Sequence, residues 1–272
     1  MFTRDELIRE ALELDPLPAS STRLSQIFAS EDWSLQDVAK TAALDQVLTG
    51  TLLRYVNSAA SGSAQKITQV SQAVMRMGPG LVMSVALGQS VSGPMKSDLP
   101  AYGMEEGDLF RHSIASAIAI ENMRRLGLKP PPGCFIAALV HDVGKLVVGR
   151  KLATMGIKIS KDDCARTIET EQLGIDHAEL GSAIAAAWEL PEGVPEAVGG
   201  HHAPQEIEDL ETRKVATFVA AADEVAHSID KTEEEVGMNP VATTRFELPA
   251  DAQAKLRETT REMLDGVMQL YA

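Results

Sequence analysis

The stretch Phe135-Ile136-Ala137-Ala138-Leu139-Val140-His141-Asp142-Val143-Gly144-Lys145 decides how this chain is read. Six consecutive apolar residues leave no polar face, so a helix built from them must be enclosed by other elements. His141-Asp142 then sets two polar groups at the end of that buried helix, where an unpaired charge is costly and something must satisfy it. A bare His-Asp dipeptide is common by chance, and only the longer run ending His-Asp-Val-Gly-Lys discriminates. Two readings of the pair stand side by side: contact with a metal or ligand, or a hydrogen-bonded structural pair.

Outward from this run, apolar positions recur at three- and four-residue spacing, aromatic residues make up only 4% of the chain, and the expected fold class is all-α. Thr3 and Glu6 form a capping box for a first helix that Pro16 and Pro18 stop, and a second helix follows from about Ser20. Ser34 opens a third, Asp45 marks a short break, and Asn57-Ser58 ends the next. Ile67, Val70, Val74 and Met77 mark a helix stopped by Gly78-Pro79-Gly80, followed by an apolar segment from Leu81 to Val91 and a linker over residues 92–103. Later helices are expected over residues 108–126, 135–140, 176–188, 194–202, 214–228 and 252–271, with an exposed acidic excursion through Glu233-Glu234-Glu235 to Pro249.

The 272 residues, 44% hydrophobic, supply enough apolar surface for a real core, read as an N-terminal helical subdomain over 1–100 and a second over 101–272. Cys134 and Cys164 lie in no CxxC pair, so a disulfide framework or zinc finger is not expected and a reducing, cytoplasmic setting fits best. Neither a basic start with an apolar core nor a run of about 18 apolar residues is present, so no membrane association is expected. A formal charge of -14 repels phosphate backbones, and no nucleic-acid partner is expected. There is no GxxxxGK loop and no Gly-x-Ser-x-Gly elbow, which argues against a nucleotide-driven motor and a serine hydrolase.

The candidate chemistry lies in the second half. His112, His141, His177, His201 and His202, joined by Asp142 and Asp223, combine imidazole nitrogen with carboxylate oxygen, a donor set suited to Fe, Mn, Zn or Ni, and a carboxylate can bridge two ions. Asp108 and His112, four apart on one helix, share a face and could converge on one ion; Asp is equally at home as a helix N-cap. His201 and His202 are adjacent, so a helix would turn them about a quarter-turn apart or more, and His177 stands near a helix start where a capping role is as natural as ligation. Asp223 follows Ala220-Ala221-Ala222, an acidic residue on an apolar surface that favours a buried partner. Lys145 could neutralise a phosphate or complement a helix dipole. Trp188 and His227 read as packing and surface residues respectively.

Taken together, Leu14-Asp15-Pro16-Leu17-Pro18, Leu44-Asp45-Gln46-Val47-Leu48, Leu52 to Ala59, Ile67 to Val74, the His-Asp-Val-Gly-Lys run, His177 to Gly181, Trp188-Glu189-Leu190-Pro191 and His201-His202-Ala203-Pro204 resemble the HDOD family, a variant of the HD phosphohydrolase superfamily found in bacterial signalling proteins. The resemblance covers most of the chain and implies an N-terminal helical bundle packed on an HD-type helical core. The order His112, His141-Asp142, His177, His201-His202, Asp223 is similar to the metal set of HD-GYP cyclic dinucleotide phosphodiesterases, with Asp108 where those enzymes often carry a carboxylate. After His201-His202, however, Ala203-Pro204-Gln205 replaces the acidic residue and Gly-Tyr-Pro signature of that group.

The resemblance implies a signalling or regulatory protein with a metal-binding pocket and, as partner, a regulatory protein or a small phosphorylated ligand. The alternative is a metal-dependent phosphohydrolase acting on a nucleotide or cyclic dinucleotide. One divalent transition ion would then rest on His112, His141, Asp142 and Asp223 and a second on His177, His201 and Asp108, with Lys145 steadying the phosphate and Asp142 at the reacting centre. A di-iron redox centre would use the same ligands.

Overall fold

A computed structural model describes residues 2–15, 17–30, 32–58, 66–160, 164–232, 246 and 248–271. Among these residues no strand forms beyond one isolated bridge between Leu99 and Met104. The expected excursion through Glu233-Glu234-Glu235 lies almost wholly outside the described residues, as does Pro16, one of the two expected stops of the first helix.

Local chemistry sets the helix starts. Helix α1 (Arg4–Leu12) carries the capping box expected at Thr3 and Glu6. After α2 (Ala19–Ala29), Ser34 caps α3 (Leu35–Ala43) and Asp45 caps α4 (Gln46–Val56) by accepting from the Leu48 N–H at 2.9 Å. The same Asp45 carboxylate takes the Ser20 hydroxyl at 2.7 Å, fastening α2 to α4. Asn57 ends α4 and its amide brackets Ile67, donating to that residue's carbonyl and accepting from its N–H, each at 2.7 Å.

Helix α5 (Val70–Met95) corrects the expected boundaries. Gly78, at φ 74°, breaks the helical axis as glycine alone does without strain, but the chain resumes helix at once and continues to Met95. The expected linker from Ser92 therefore begins after Met95.

The second half is built around α6 (Asp108–Arg125), which packs against α5, α7 (Cys134–Val140), α12 (Leu210–Ser228) and α13 (Ala250–Met268). Between these come α8 (Lys145–Thr154), α9 (Ala165–Leu173), α10 (His177–Ala187) and α11 (Val194–Gly199). Helix α7 is enclosed as its sequence demands: Ile136, Ala137, Ala138, Leu139 and Val140 are at most 1% exposed, and each large side chain among them contributes about 1.5–3 kcal/mol by leaving water. Helix α1 lies against α10 and α8, so one buried cluster runs through both halves of the chain. Helices α8 and α9 were not expected from the spacing of apolar residues. No helix among the described residues is long and apolar enough to cross a membrane.

Candidate metal centre

The donor residues meet because three helix ends converge on the contact between α6 and α12. Helix α7 stops at Val140, and the chain turns tightly, with the Val143 N–H on the Val140 carbonyl and the Lys145 N–H on the Asp142 carbonyl, before α8 begins. Gly144 in this turn touches the start of α10 so closely that a Cβ there would stand 2.0 Å from the His177 carbonyl oxygen. That approach brings Asp142 to His177. Packing of α6 on α12 sets His112 against Asp223, and α11, lodged against α10, α12 and α7, delivers His201 and His202 just beyond its end.

Two lobes result. In the first, the Nε2 atoms of His112 and His141 are 3.3 Å apart. Asp223 Oδ1 lies 2.9 Å from His112 and 3.5 Å from His141, and Asp142 Oδ2 lies 3.6 and 3.5 Å from the same two nitrogens. In the second, His177 Nε2 is 2.9 Å from His202 Nε2, and the His201 ring stacks beside His202 with centroids 3.9 Å apart. Asp142 belongs to both, because its other oxygen, Oδ1, is 3.3 Å from His177 Nε2.

The surroundings fix which nitrogen carries each proton. His141 Nδ1 donates to the Ala138 carbonyl at 2.8 Å and His201 Nδ1 to the Val198 carbonyl at 2.6 Å, so in the neutral ring each Nε2 keeps a bare lone pair directed into the cluster. His177 Nδ1 donates to Glu169 at 2.7 Å, a carboxylate–histidine pair of the kind that stands behind metal-ligating imidazoles. Glu169 itself is wholly buried, and it also accepts the His177 backbone N–H and the Tyr102 hydroxyl, both at 2.8 Å.

Asp142 Oδ1, Asp223 Oδ1 and His201 Nε2 are buried without any hydrogen-bond partner, although three imidazoles crowd Asp223 Oδ1 within 3.5 Å. Buried orphans of this kind normally cost about 1–3 kcal/mol each, and their convergence on two small volumes is what a cation would relieve. Burial holds His112 and His202 down to about 4 and His201 well below its ordinary value. Burial opposes ionisation of both carboxylates, yet the charges of Lys145 and His141 hold the Asp142 carboxyl well below the usual range, and the adjacent imidazoles, His112 foremost, do the same at Asp223. Burial pulls His141 down, but Asp142 and Asp223 push it above its ordinary value. Low values at His112, His201 and His202 keep those imidazoles in the neutral form that binds metal beside ionised carboxylates, while His141 would give up a proton as an ion enters.

Of the sequence-predicted ligands, His112, His141, Asp142, His177, His201, His202 and Asp223 are brought together. Asp108 is not: it is exposed, and its carboxylate accepts from the Glu105 N–H at 2.8 Å, closing the turn that leads into α6. His201 and His202 lie past the end of α11 rather than on it, which frees both rings to face the cluster. Lys145 is the first residue of α8, where the helix dipole opposes a cation; its ammonium is held by Asp142 Oδ2 at 2.5 Å and lies 5.7 Å over the Tyr102 ring. Trp188 is a packing residue at 5% exposure. His227, expected at the surface, is half exposed but sets Nδ1 2.9 Å from Asp223 Oδ1. Glu169 and Tyr102 were not singled out; the one sequence signal for Glu169 is its place one helical turn from both Ala165 and Leu173, on an apolar face of α9.

Comparison with known proteins agrees with this architecture. The HDOD domain model matches residues 14–204, ending before Asp223. The fold is similar over 97% of both chains to an HDOD domain protein of unknown function from Geobacter sulfurreducens, at 23% identity and a TM-score of 0.72. It is also similar, over 97% of both chains, to a Shewanella amazonensis SB2B protein provisionally named a phosphohydrolase, at 22% identity and a TM-score of 0.68. A second protein of that organism, provisionally named a metal-dependent phosphohydrolase, aligns over 97% of this chain and 95% of its own at 18% identity and a TM-score of 0.60. An uncharacterized protein of Treponema pallidum (strain Nichols) is 26% identical over 218 residues, 73% of this chain but only 40% of its own length. With that model covering most of its length and its whole helical architecture in accord, the chain belongs to the HDOD domain family.

Proposed function

We propose that this HDOD protein binds two divalent transition ions and that the loaded centre hydrolyses a phosphoester of the nucleotide or cyclic dinucleotide class within a signalling system. One observation carries the reading: Asp142 Oδ1, Asp223 Oδ1 and His201 Nε2 are orphaned where imidazoles of fixed tautomer converge. His112, His141, Asp142 and Asp223 would hold one ion, and His177, His201, His202 and the second oxygen of Asp142 the other. His202 stands here in the role first given to Asp108. In the six-coordinate geometry open to Mn or Fe, four protein donors per ion would leave positions for water and substrate, whereas tetrahedral zinc would be filled. Bound there, the ions supply Lewis acidity toward a phosphoryl oxygen and a more acidic water. The provisional names of the two Shewanella proteins point the same way.

The chain's own residues do the positioning. Glu169 orients His177, Asp142 joins the lobes with Lys145 balancing its charge, and Asp223 anchors His112. Access is from the side where His202 is exposed and His227 half exposed. Directly after His202 come Ala203-Pro204-Gln205, in place of the acidic residue and Gly-Tyr-Pro signature of the cyclic di-GMP enzymes, so another phosphoester is the better candidate.

A regulatory role without turnover is favoured by a separate observation: the Lys145 ammonium is spent on Asp142 rather than free for a phosphate. Hydrolysis of bis(p-nitrophenyl) phosphate by protein loaded with Zn, Mn or Fe separates the two. Metal-dependent turnover that falls by at least about 100-fold in His141→Ala supports the enzyme; a loaded but inert protein leaves the regulatory reading.

A further inference from the structure

Beyond the seven residues already assigned, a third group of donor atoms forms on the open side of the first lobe. One donor atom each from His112, Asp223 and His227 lies within 4.8 Å of the others. His227 follows Asp223 by one helical turn on α12, so the two share a face, and its ring lies edge-on to that of His112 with centroids 4.4 Å apart. The nitrogen that faces the lobe is His227 Nδ1, 3.0 Å from the Asp223 backbone carbonyl and 2.9 Å from Asp223 Oδ1; unlike His141 and His201, it ligates only with the ring proton on Nε2. Asp223 Oδ1 is also 2.9 Å from His112 Nε2, so this carboxylate oxygen stands between the two imidazoles.

We propose that His227 is an additional imidazole ligand of the first lobe, reaching its ion from the solvent side. The chemical consequence concerns metal choice. A lobe with three imidazoles and two carboxylates favours Zn, Fe, Co or Ni over Mg or Mn, whose preference is for oxygen. The proposal rests on the dinuclear reading and extends it.

The test uses the full chain, labelled with 15N in histidine and loaded with 113Cd. The imidazole resonances that vanish in His227→Gln belong to His227, and in the wild type one of them is expected to show coupling to 113Cd. Gln can still donate to Asp223 but offers no imidazole, so it preserves a merely positioning role. The Zn-over-Mn preference, read by competition, is expected to fall at least about tenfold in both His227→Gln and His227→Ala. An uncoupled His227 signal with cadmium bound elsewhere overturns this inference and leaves the dinuclear centre standing; no cadmium bound to the wild type overturns both. Unchanged melting of the two variants confirms that the fold is intact, since His227 is half exposed on its helix.

Discussion

Glu169 accepts hydrogen bonds from both the Nδ1 and the backbone N–H of His177, at 2.7 and 2.8 Å, and neither residue is more than 1% exposed. A carboxylate buried this completely fixes one imidazole in one tautomer and one orientation, which is the support a metal ligand needs.

Replacing Glu169 with Ala is therefore expected to weaken one ion by about 10–100-fold while the other is held nearly as before. Chelator competition resolves the two ions. A parallel loss of both would mean that Glu169 supports the fold rather than the second lobe. Some stability should fall as well, because the Tyr102 hydroxyl and the His177 N–H lose their acceptor.

Lys145→Met removes the cation that lies 2.5 Å from Asp142. The metal-free variant is left with an uncompensated buried carboxylate and should lose roughly 3 kcal/mol in urea unfolding. Zinc supplies positive charge at the same oxygen, so much of that loss should be recovered in the loaded protein. An equal loss with and without zinc would show that Asp142 does not face the ion.

Gly144→Ala places a methyl 2.0 Å from the His177 carbonyl and 2.8 Å from the Gly181 nitrogen, both backbone atoms that cannot swing away. The α7–α8 turn must move off α10, at a cost of about 3 kcal/mol or more. A melting point roughly 6–12 °C lower is expected, with loss of bound metal as Asp142 and His177 separate. A variant that melts like the wild type would contradict the packing described for this turn.

Asp108→Ala should leave the metal content unchanged and the melting point within roughly 2 °C of the wild type, because its carboxylate serves only the Glu105 turn. Loss of an ion in this variant would restore Asp108 to the centre.

Much of this was legible in the sequence, for identifiable reasons. The all-helical fold follows from apolar spacing and from caps that form where the residues say they should, at Thr3, Ser34 and Asp45. The cluster was visible through residue type: His and Asp at the ends of apolar runs need partners. Three features were not legible. Helices α8 and α9 lie in segments where packing outweighs a weak local pattern, as Glu169 inside α9 illustrates. Asp108 and His227 each stand four residues from a candidate donor, His112 and Asp223, on α6 and α12 respectively, so spacing could not tell which lies beside the cluster; the turn at Glu105 holds Asp108 away, and the packing of α6 on α12 sets His227 beside His112. The glycine of the His-Asp-Val-Gly-Lys run is explained by the His177 carbonyl, a neighbour more than thirty residues away in the chain.

The central claim is that the converging His and Asp residues hold metal, and elemental analysis of bound Fe, Mn, Zn and Ni tests it most directly. The protein would be purified without chelator or metal-affinity resin, alongside His141→Ala and Asp142→Ala. About two ions per chain are expected in the wild type, with one lost in His141→Ala and both lowered in Asp142→Ala, because Asp142 presents one oxygen to each lobe. A folded wild type that binds no metal, even after incubation with each ion, would contradict the account.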